Sequence, residues 1–349
     1  MRIDILARDE VHNITPELWD GLSESSINTN PFFERWCLSP ALKYLDIDEE
    51  IFIVVAYKNE KLIALFPLQI RNHYLGLKYL SIWQHSQCFL CEPLCDDRED
   101  LYEVLHTVML KKQLSIIQLP FHTSNSFGQY IEKHSISFTS QRGSVDDFSE
   151  IKSHFSNLAR KQKSENKRIV NRLFQVTAAR YVSSKIEPDR NWLEDYCHIE
   201  DSGWKGLQGG SIKSNTNIYL YYKEMCVLAT CQNKIEFQGL FNNSETLAIS
   251  LRIYTKNKGF DLKTSYNEIF KGFYPGVVLE ICNLNELSNS KLDYLDSCTA
   301  SNNRLVNRLW PEQKKIQMSY FFDHGLIGRM LRLLYKIKRW KYSSPVKTD

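Results

Sequence analysis

The chain has 349 residues, enough for two domains of ordinary size, and its 43% hydrophobic and 24% charged residues exclude a disordered or low-complexity protein. A net charge of +3 is too small to imply a nucleic-acid partner by itself. No run approaches the roughly 18 apolar residues of a membrane span, "MRIDILARDEVHN" lacks the apolar core of a signal peptide, and nine cysteines read as reduced thiols of a cytoplasmic protein.

In chain order, "NPFFERWCLSPALKYL" has helical spacing from Phe33 to Leu45. "IFIVVAYKNEKLIALFPLQIRN" predicts two strands joined at Lys58-Asn59-Glu60, a polar turn between β-branched and apolar runs. "YLGLKYLSIWQ" predicts a further strand, and "DREDLYEVLHTVMLKK" an amphipathic helix with Leu101, Val104, Leu105 and Val108 on its apolar face. "LSIIQLPF" is then a buried strand, and a first mixed domain ends near Arg142-Gly143. Ser153 to Arg172 predicts one highly charged helix carrying Arg160, Lys161, Lys163, Lys167, Arg168 and Arg172 against Glu165 alone. Such a run is either a solvated face or a surface for an anionic ligand.

The second half has a clearer order. "DRNWLEDYCHIEDSGWKGLQGG" is a helix running into a glycine-rich turn, and "NIYLYYKEMCVLATCQ" a second helix. "KIEFQGLFNN", "TLAISLRIYTKN" and "FDLKTSYNEIF" predict three antiparallel strands. A helix from Pro275 crosses over to the strand "KLDYLDSCTA", making that last pair parallel or mixed. "NNRLVNRLW" is a short helix and "KKIQMSYFF" a last strand. Both halves share a hairpin, helix, strand order, as tandem copies of one fold would. Boundaries fall at 148 and 322, followed by a tail at 323–349.

Three constellations carry possible chemistry. His85, Cys88, Cys91 and Cys95 are closely spaced, but Phe89, Leu90 and Leu94 suit a buried strand and no second ligand pair stands nearby, so no metal is expected. In "SYNEIFKGFYPG" a strand leads at once into a helix start. Either this is an ordinary strand–turn–helix connection with good turn chemistry, or the free backbone N–H groups and the positive end of the helix dipole make the helix start an anion site. Gly276 lets a ligand approach the backbone, and Pro275 suits the first turn. The tail "GLIGRMLRLLYKIKRWKY" sets Leu326, Met330, Leu331, Leu334, Ile337 and Trp340 on or near one helical face, with Arg329, Arg332, Lys336, Lys338, Arg339 and Lys341 filling the rest. This is the pattern of a basic interfacial helix at an anionic membrane, or of a helix docked on its own domain. Its one-sided charge predicts a tail dispensable for folding.

The second-half order is that of the GCN5-related N-acetyltransferase (GNAT) fold. "EDSGWKGLQGGSI", "SYNEIFKGFYPGVVLE" and "LDSCTASNNRLVNRLWPE", with "NPFFERWCL", "EKLIALFPLQI" and "WQHSQCFLCEPL" in the first half, resemble the bacterial CelD or BioF2-like acetyltransferase family from about Pro31 to Phe322. The resemblance implies an α/β fold with mixed sheets in tandem GNAT-like domains, arranged as in peptidoglycan-bridge aminoacyltransferases. It implies an acetyl-CoA or other acyl-CoA donor and an amine or hydroxyl acceptor in sugar, polysaccharide or cell-surface chemistry. Tyr266, Asn267 and Glu268 are then the candidate catalytic residues, with Glu268 taking the acceptor proton and Tyr266 donating to the leaving thiolate. Lys271, Tyr274, Gly276 and Val277 would hold the donor, although Tyr274 replaces the middle glycine of the usual phosphate loop. Trp204, Lys205 and Asp296 would face the acceptor. Two alternatives stand beside this reading: an aminoacyl-tRNA-dependent transferase, and a non-catalytic scaffold for polysaccharide synthesis. In all three the protein is cytoplasmic, with the tail as a peripheral contact at the inner face of the membrane.

Overall fold

In the computed structural model, which describes all residues except 73–75, 147, 289, 300–302 and 344–349, the chain packs as two units. Unit 1 comprises Met1–Leu42, Asp46–Ser140 and Lys315–Asp349, and unit 2 comprises Lys43–Leu45 and Gln141–Lys314. The strand read as the last of the second half thus belongs, from Lys315 on, to unit 1.

Unit 1 begins with strand β1 (Arg2–Ala7) and helices α1 (Pro16–Ser25) and α2 (Arg35–Tyr44). The hairpin follows as β2 (Ile51–Lys58) and β3 (Lys61–Asn72). Asn59 and Glu60 both adopt positive φ, 49° and 62°, giving the primed turn whose twist matches that of the strands. Ile53, Val54, Val55, Ala56, Leu65 and Phe66 are completely covered, so both faces of the hairpin are buried and its sequence reads as a continuous apolar run. Then come β4 (Lys78–Ile82), the short β5 (Leu94–Cys95), α3 (Asp100–Lys112), β6 (Ile116–His122), α4 (Gln129–His134) and β7 (Ile136–Val145). Strands β1, β2, β3 and β4 are successive antiparallel neighbours, and β4 runs parallel to β6.

Unit 2 carries α5 (Ser149–Asn157) and α6 (Arg160–Thr177) in place of the one charged helix read from sequence. The break falls at Leu158 and Ala159, both extended. A continuous helix over this span would run about 43 Å at 1.5 Å per residue, longer than the roughly 30 Å diameter of a small domain. The break lets Ile151 of α5 and Leu173 of α6 reach the same core. Next are β8 (Arg180–Ser183), α7 (Trp192–Asp201), the one-turn α8 (Trp204–Leu207) and α9 (Thr216–Cys231). Strands β9 (Ile235–Phe241), β10 (Thr246–Thr255) and β11 (Lys258–Tyr266) lead to α10 (Pro275–Leu287), β12 (Tyr294–Asp296) and α11 (Arg304–Leu309). The chain closes with β13 (Glu312–Phe322) and α12 (Leu326–Ser343). Val278, Leu279, Ile281 and Leu284 of α10 pack on Leu247 and Ala248 of β10 and on Ile169 and Leu173 of α6.

The same strand path occurs in each unit. In unit 1 it is β1, β2, β3, β4, β6, β13, and in unit 2 it is β8, β9, β10, β11, β12 and the end of β7. Each has three antiparallel pairings, one parallel pairing, then one antiparallel pairing. The repeat expected from element order is therefore a repeat of topology. Its sixth strands are placed differently along the sequence: β13 follows all the strands of unit 2 but pairs with β6, while the end of β7, at the start of unit 2, precedes β8 and pairs with β12.

The tail is docked along one side. Tyr335 of α12 is buried with Ile116, Ile136 and Phe322, and Leu331 packs against the same cluster. The side chains of Lys338, Arg339, Trp340 and Lys341 lie outside those described.

Candidate active site

Strand β11 ends at Tyr266, four residues earlier than the sequence reading placed it. Asn267 causes the stop: its side-chain oxygen accepts from the Ile269 N–H at 3.0 Å and caps a 3-10 turn, Glu268–Phe273. Its own N–H still bonds the Leu247 carbonyl at 2.9 Å, closing the strand. The amide of Asn267 is thus engaged in shaping the turn. Tyr274 then takes the left-handed conformation, φ 55°, and α10 starts at Pro275 as the sequence predicts. The N–H groups of the first helical turn, at Gly276 and Val277, have no partner earlier in the helix.

The parallel strands β11 and β12 pair over only three positions, Lys258 with Tyr294, Gly259 with Leu295 and Phe260 with Asp296. Beyond Phe260, the β12-facing edge of β11 from Asp261 to Tyr266 has no strand partner among the described residues. Backbone donors and acceptors are left open beside the start of α10.

One cavity lies at the end of β11 and another at the start of α10. The smaller, about 30 Å³, is lined by Glu200, Trp204, Lys205, Ser265, Tyr266 and Glu268 among others. It brings together the "EDSGWK" and "TSYNE" stretches, some sixty residues apart in sequence, and has room for about one small polar group. Burial and then the adjacent Glu268 carboxylate raise the Tyr266 phenol above its ordinary pKa, so it keeps its proton at neutral pH. Trp204 is half exposed over the opening.

Glu200 is the buried anchor of this pocket. Its carboxylate accepts from Lys205 Nζ at 2.9 Å, the Ile212 N–H at 2.8 Å and the Tyr196 hydroxyl at 3.1 Å. Lys205, read as an acceptor-facing residue, is therefore held by an ion pair with its lip position fixed. Lys263 belongs to the same neighbourhood, and burial lowers its pKa while Glu200 opposes that shift.

The larger cavity, about 340 Å³, lies at the start of α10 and is lined by Tyr274, Val277, Glu165, Ile169, Arg304, Leu305 and Arg308. The Nε of Arg308 is buried with no hydrogen-bond partner. A guanidinium in that state is poised for an anion. The two arginines, at i and i+4 on α11, were missed in the sequence reading; that spacing on one helix face was the available signal. Of the basic residues on α6, Arg160, Lys161 and Arg168 line an open basin of about 710 Å³. Arg172 instead lies over the Phe273 ring at 4.9 Å, which ties α6 to the turn before α10.

Two sequence-predicted residues lie elsewhere. Lys271 is exposed on the 3-10 turn. Asp296 is buried on β12, where it accepts from the Tyr294 hydroxyl at 2.8 Å and the Cys298 N–H at 2.7 Å and pairs with Arg142 at 3.4 Å. It sits opposite Phe260, six residues and roughly 20 Å along β11 from Tyr266. The structure therefore separates it from the pocket and assigns it to the sheet's internal ion pair. His85 is fully buried, which lowers its pKa to about 3, and the Cys88 and Cys91 sulfurs lie 3.7 Å apart. Among the described residues no three His, Cys, Asp or Glu side chains form a metal-holding group.

No protein-family model matches the sequence, and no curated protein matches it. Solved structures do. FemX aligns with a TM-score of 0.58 and 9% identity, over 95% of this chain and all of its own. The L-PGS of Bacillus licheniformis aligns at 0.55 and 13%, covering 91% of this chain and 96% of that one. The C-terminal domain of a putative lysylphosphatidylglycerol synthetase from Agrobacterium fabrum aligns at 0.54 and 9%, covering 91% and 95%. At these identities the likeness is one of fold: the chain has a mixed-sheet α/β fold like that of FemX, with one strand path in both units.

Proposed function

We propose that the protein is an acyltransferase that moves an acyl group from a thioester donor, most simply acetyl-CoA or another acyl-CoA, onto an amine or hydroxyl. The observation that carries this reading is the unpaired edge of β11 beside the start of α10. Backbone N–H groups there can hold a carbonyl oxygen and the negative charge that develops on it when the carbonyl is attacked. The first turn of α10 and the arginines at 304 and 308 suit the donor's phosphates. The small pocket suits the head of the acceptor. Glu268 accepts the proton that the amine or hydroxyl loses, directly or through water, and the protonated Tyr266 supplies one to the departing sulfur. Trp204 covers the pocket mouth, and Glu200 with Lys205 keeps its wall rigid.

The name of one aligned structure, a putative lysylphosphatidylglycerol synthetase, supports a transferase that acts on a lipid-linked or membrane-associated acceptor. The resemblance to the CelD and BioF2-like family supports a sugar or polysaccharide precursor as acceptor and a cytoplasmic location. One feature favours a second reading, in which the acyl group arrives on tRNA. The open basin lined by Arg160, Lys161 and Arg168, with Glu165 as its one acid, carries a net positive charge that would suit a nucleic-acid backbone.

The test is a native mass spectrum for co-purified CoA or acyl-CoA, followed by calorimetric titration with CoA and with charged tRNA. CoA binding that weakens roughly tenfold or more in Arg308→Ala, with a steep salt dependence, is the expected outcome. Binding of charged tRNA with no response to CoA favours the second reading. A chain that binds neither is a scaffold, and the acyltransferase reading falls.

A further inference from the structure

Helix α12 has three distinct sides. At about 100° per residue, Gly328, Leu331 and Tyr335 share one side. This side is docked: Tyr335 is 8% exposed in its cluster, and a Cβ on Gly328 would come within 2.0 Å of the Asp323 carboxylate. A second side is an apolar stripe about 120° wide, formed by Leu326, Ile327, Met330, Leu333, Leu334 and Ile337. It is open to solvent, with Leu326 81%, Met330 68% and Leu334 52% exposed. The third side, between stripe and dock, holds Arg329, Arg332 and Lys336, and no acidic residue occurs anywhere in the helix.

A helix docked on its own unit has no need of a second apolar face. Monomeric surfaces rarely expose a contiguous apolar strip of this kind without a partner for it. We infer that this stripe is a membrane-binding surface: α12 lies in the plane of an anionic lipid interface, its apolar stripe among the acyl-chain ends and its cations against phosphate headgroups. The charge pattern selects this occupant. Two copies of the helix meeting stripe to stripe would bring like cationic flanks together, whereas anionic lipid answers both the stripe and its flank. No described helix is long and apolar enough to cross a membrane, so the contact is made along the surface. The docked side fixes the stripe's direction, so unit 1 presents it without a disorder-to-order transition.

The experiment is flotation of the full-length protein with vesicles of phosphatidylcholine, with and without one third phosphatidylglycerol. The wild type floats only with phosphatidylglycerol and is released as salt rises from about 50 to about 500 mM. Met330→Glu with Leu334→Glu, both exposed, leaves the melting temperature unchanged and lowers partitioning at least tenfold. Arg329→Gln with Lys336→Gln lowers it by roughly 25-fold, about fivefold for each cation lost. A wild type that stays unbound at low salt overturns the inference. So does a glutamate variant that floats as the wild type does, or a light-scattering mass of two copies that the glutamates return to one. That last result would make the stripe a self-association surface.

Discussion

Tyr266 separates the two jobs of the proposed site. It lines the small pocket, and its ring lies 3.4 Å from where a Cβ on Gly276 would stand. Tyr266→Phe removes only the hydroxyl, so CoA titration should match wild type while turnover in a thiol-release assay falls by roughly 100- to 10,000-fold. Gly276→Ala meets the ring at ordinary contact distance and should be tolerated. Gly276→Val must push the ring or fill the helix start, and should weaken CoA binding without a matching loss of stability. Equal behaviour of both Gly276 variants and wild type would remove the helix start from the site. Glu200 makes a different prediction. Glu200→Ala strands Lys205 and the Ile212 N–H, and should cost about 3–5 kcal/mol in denaturant unfolding, with Glu200→Gln costing less. The sequence offers Glu200 in the same stretch as Trp204 and Lys205, but its role is not legible there. Its decisive partner is a backbone N–H twelve residues on, which no side-chain pattern encodes. Asp296 failed for the converse reason: a carboxylate near a strand end looks like chemistry until its partner, Arg142, is seen.

At the scale of the element, α10 was legible because Pro275, Gly276 and the apolar spacing after them all agree. The strand before it was read too long, since a capping amide looks like any other polar residue at a strand end. Strands β1, β7 and β8 went unread. The first and last are short edge partners, and the middle of β7 is polar. Helix α10 also carries a buried acid that periodicity cannot flag. Glu280 accepts from Trp310 Nε1 at 2.6 Å. Burial first, and then the Asp261 carboxylate, push its pKa up to about 7. With the folded value above the unfolded one, the folded protein binds more protons between about pH 4.5 and 7, so this group's contribution to stability is full below that window and lost as pH rises through it. Glu280→Gln keeps an acceptor for Trp310 and cannot ionise. It should flatten that slope and gain on the order of 1–3 kcal/mol at pH 8 in chemical denaturation. An unchanged pH profile would show that Glu280 ionises freely in the folded state.

For the molecule as a whole, the tandem plan was legible from a shared element order, but the placement of the sixth strands was not. Pairing between strands far apart in sequence leaves no local signal, and β13 sits next to unit 2 in the chain. That placement predicts that cutting the gene at residue 148 will not yield a stable first half. That fragment lacks β13, and the edge of β6, from Ile116 to His122, is left without its neighbour. Residues 1–148 alone should aggregate or lack cooperative melting, and soluble recovery on adding residues 312–343 would identify β13 as the missing piece. A fragment that melts cooperatively by itself would show that placement to be incidental. The same strand sets a clock on synthesis. A ribosome delivers unit 2 complete at Lys314, but unit 1, whose first residues emerged long before, cannot close its sheet until β13 has left the exit tunnel. The half that is made first is therefore the half that folds last. For most of translation its β6 edge waits in the open, and chaperone dependence in this protein should fall on its N-terminal residues.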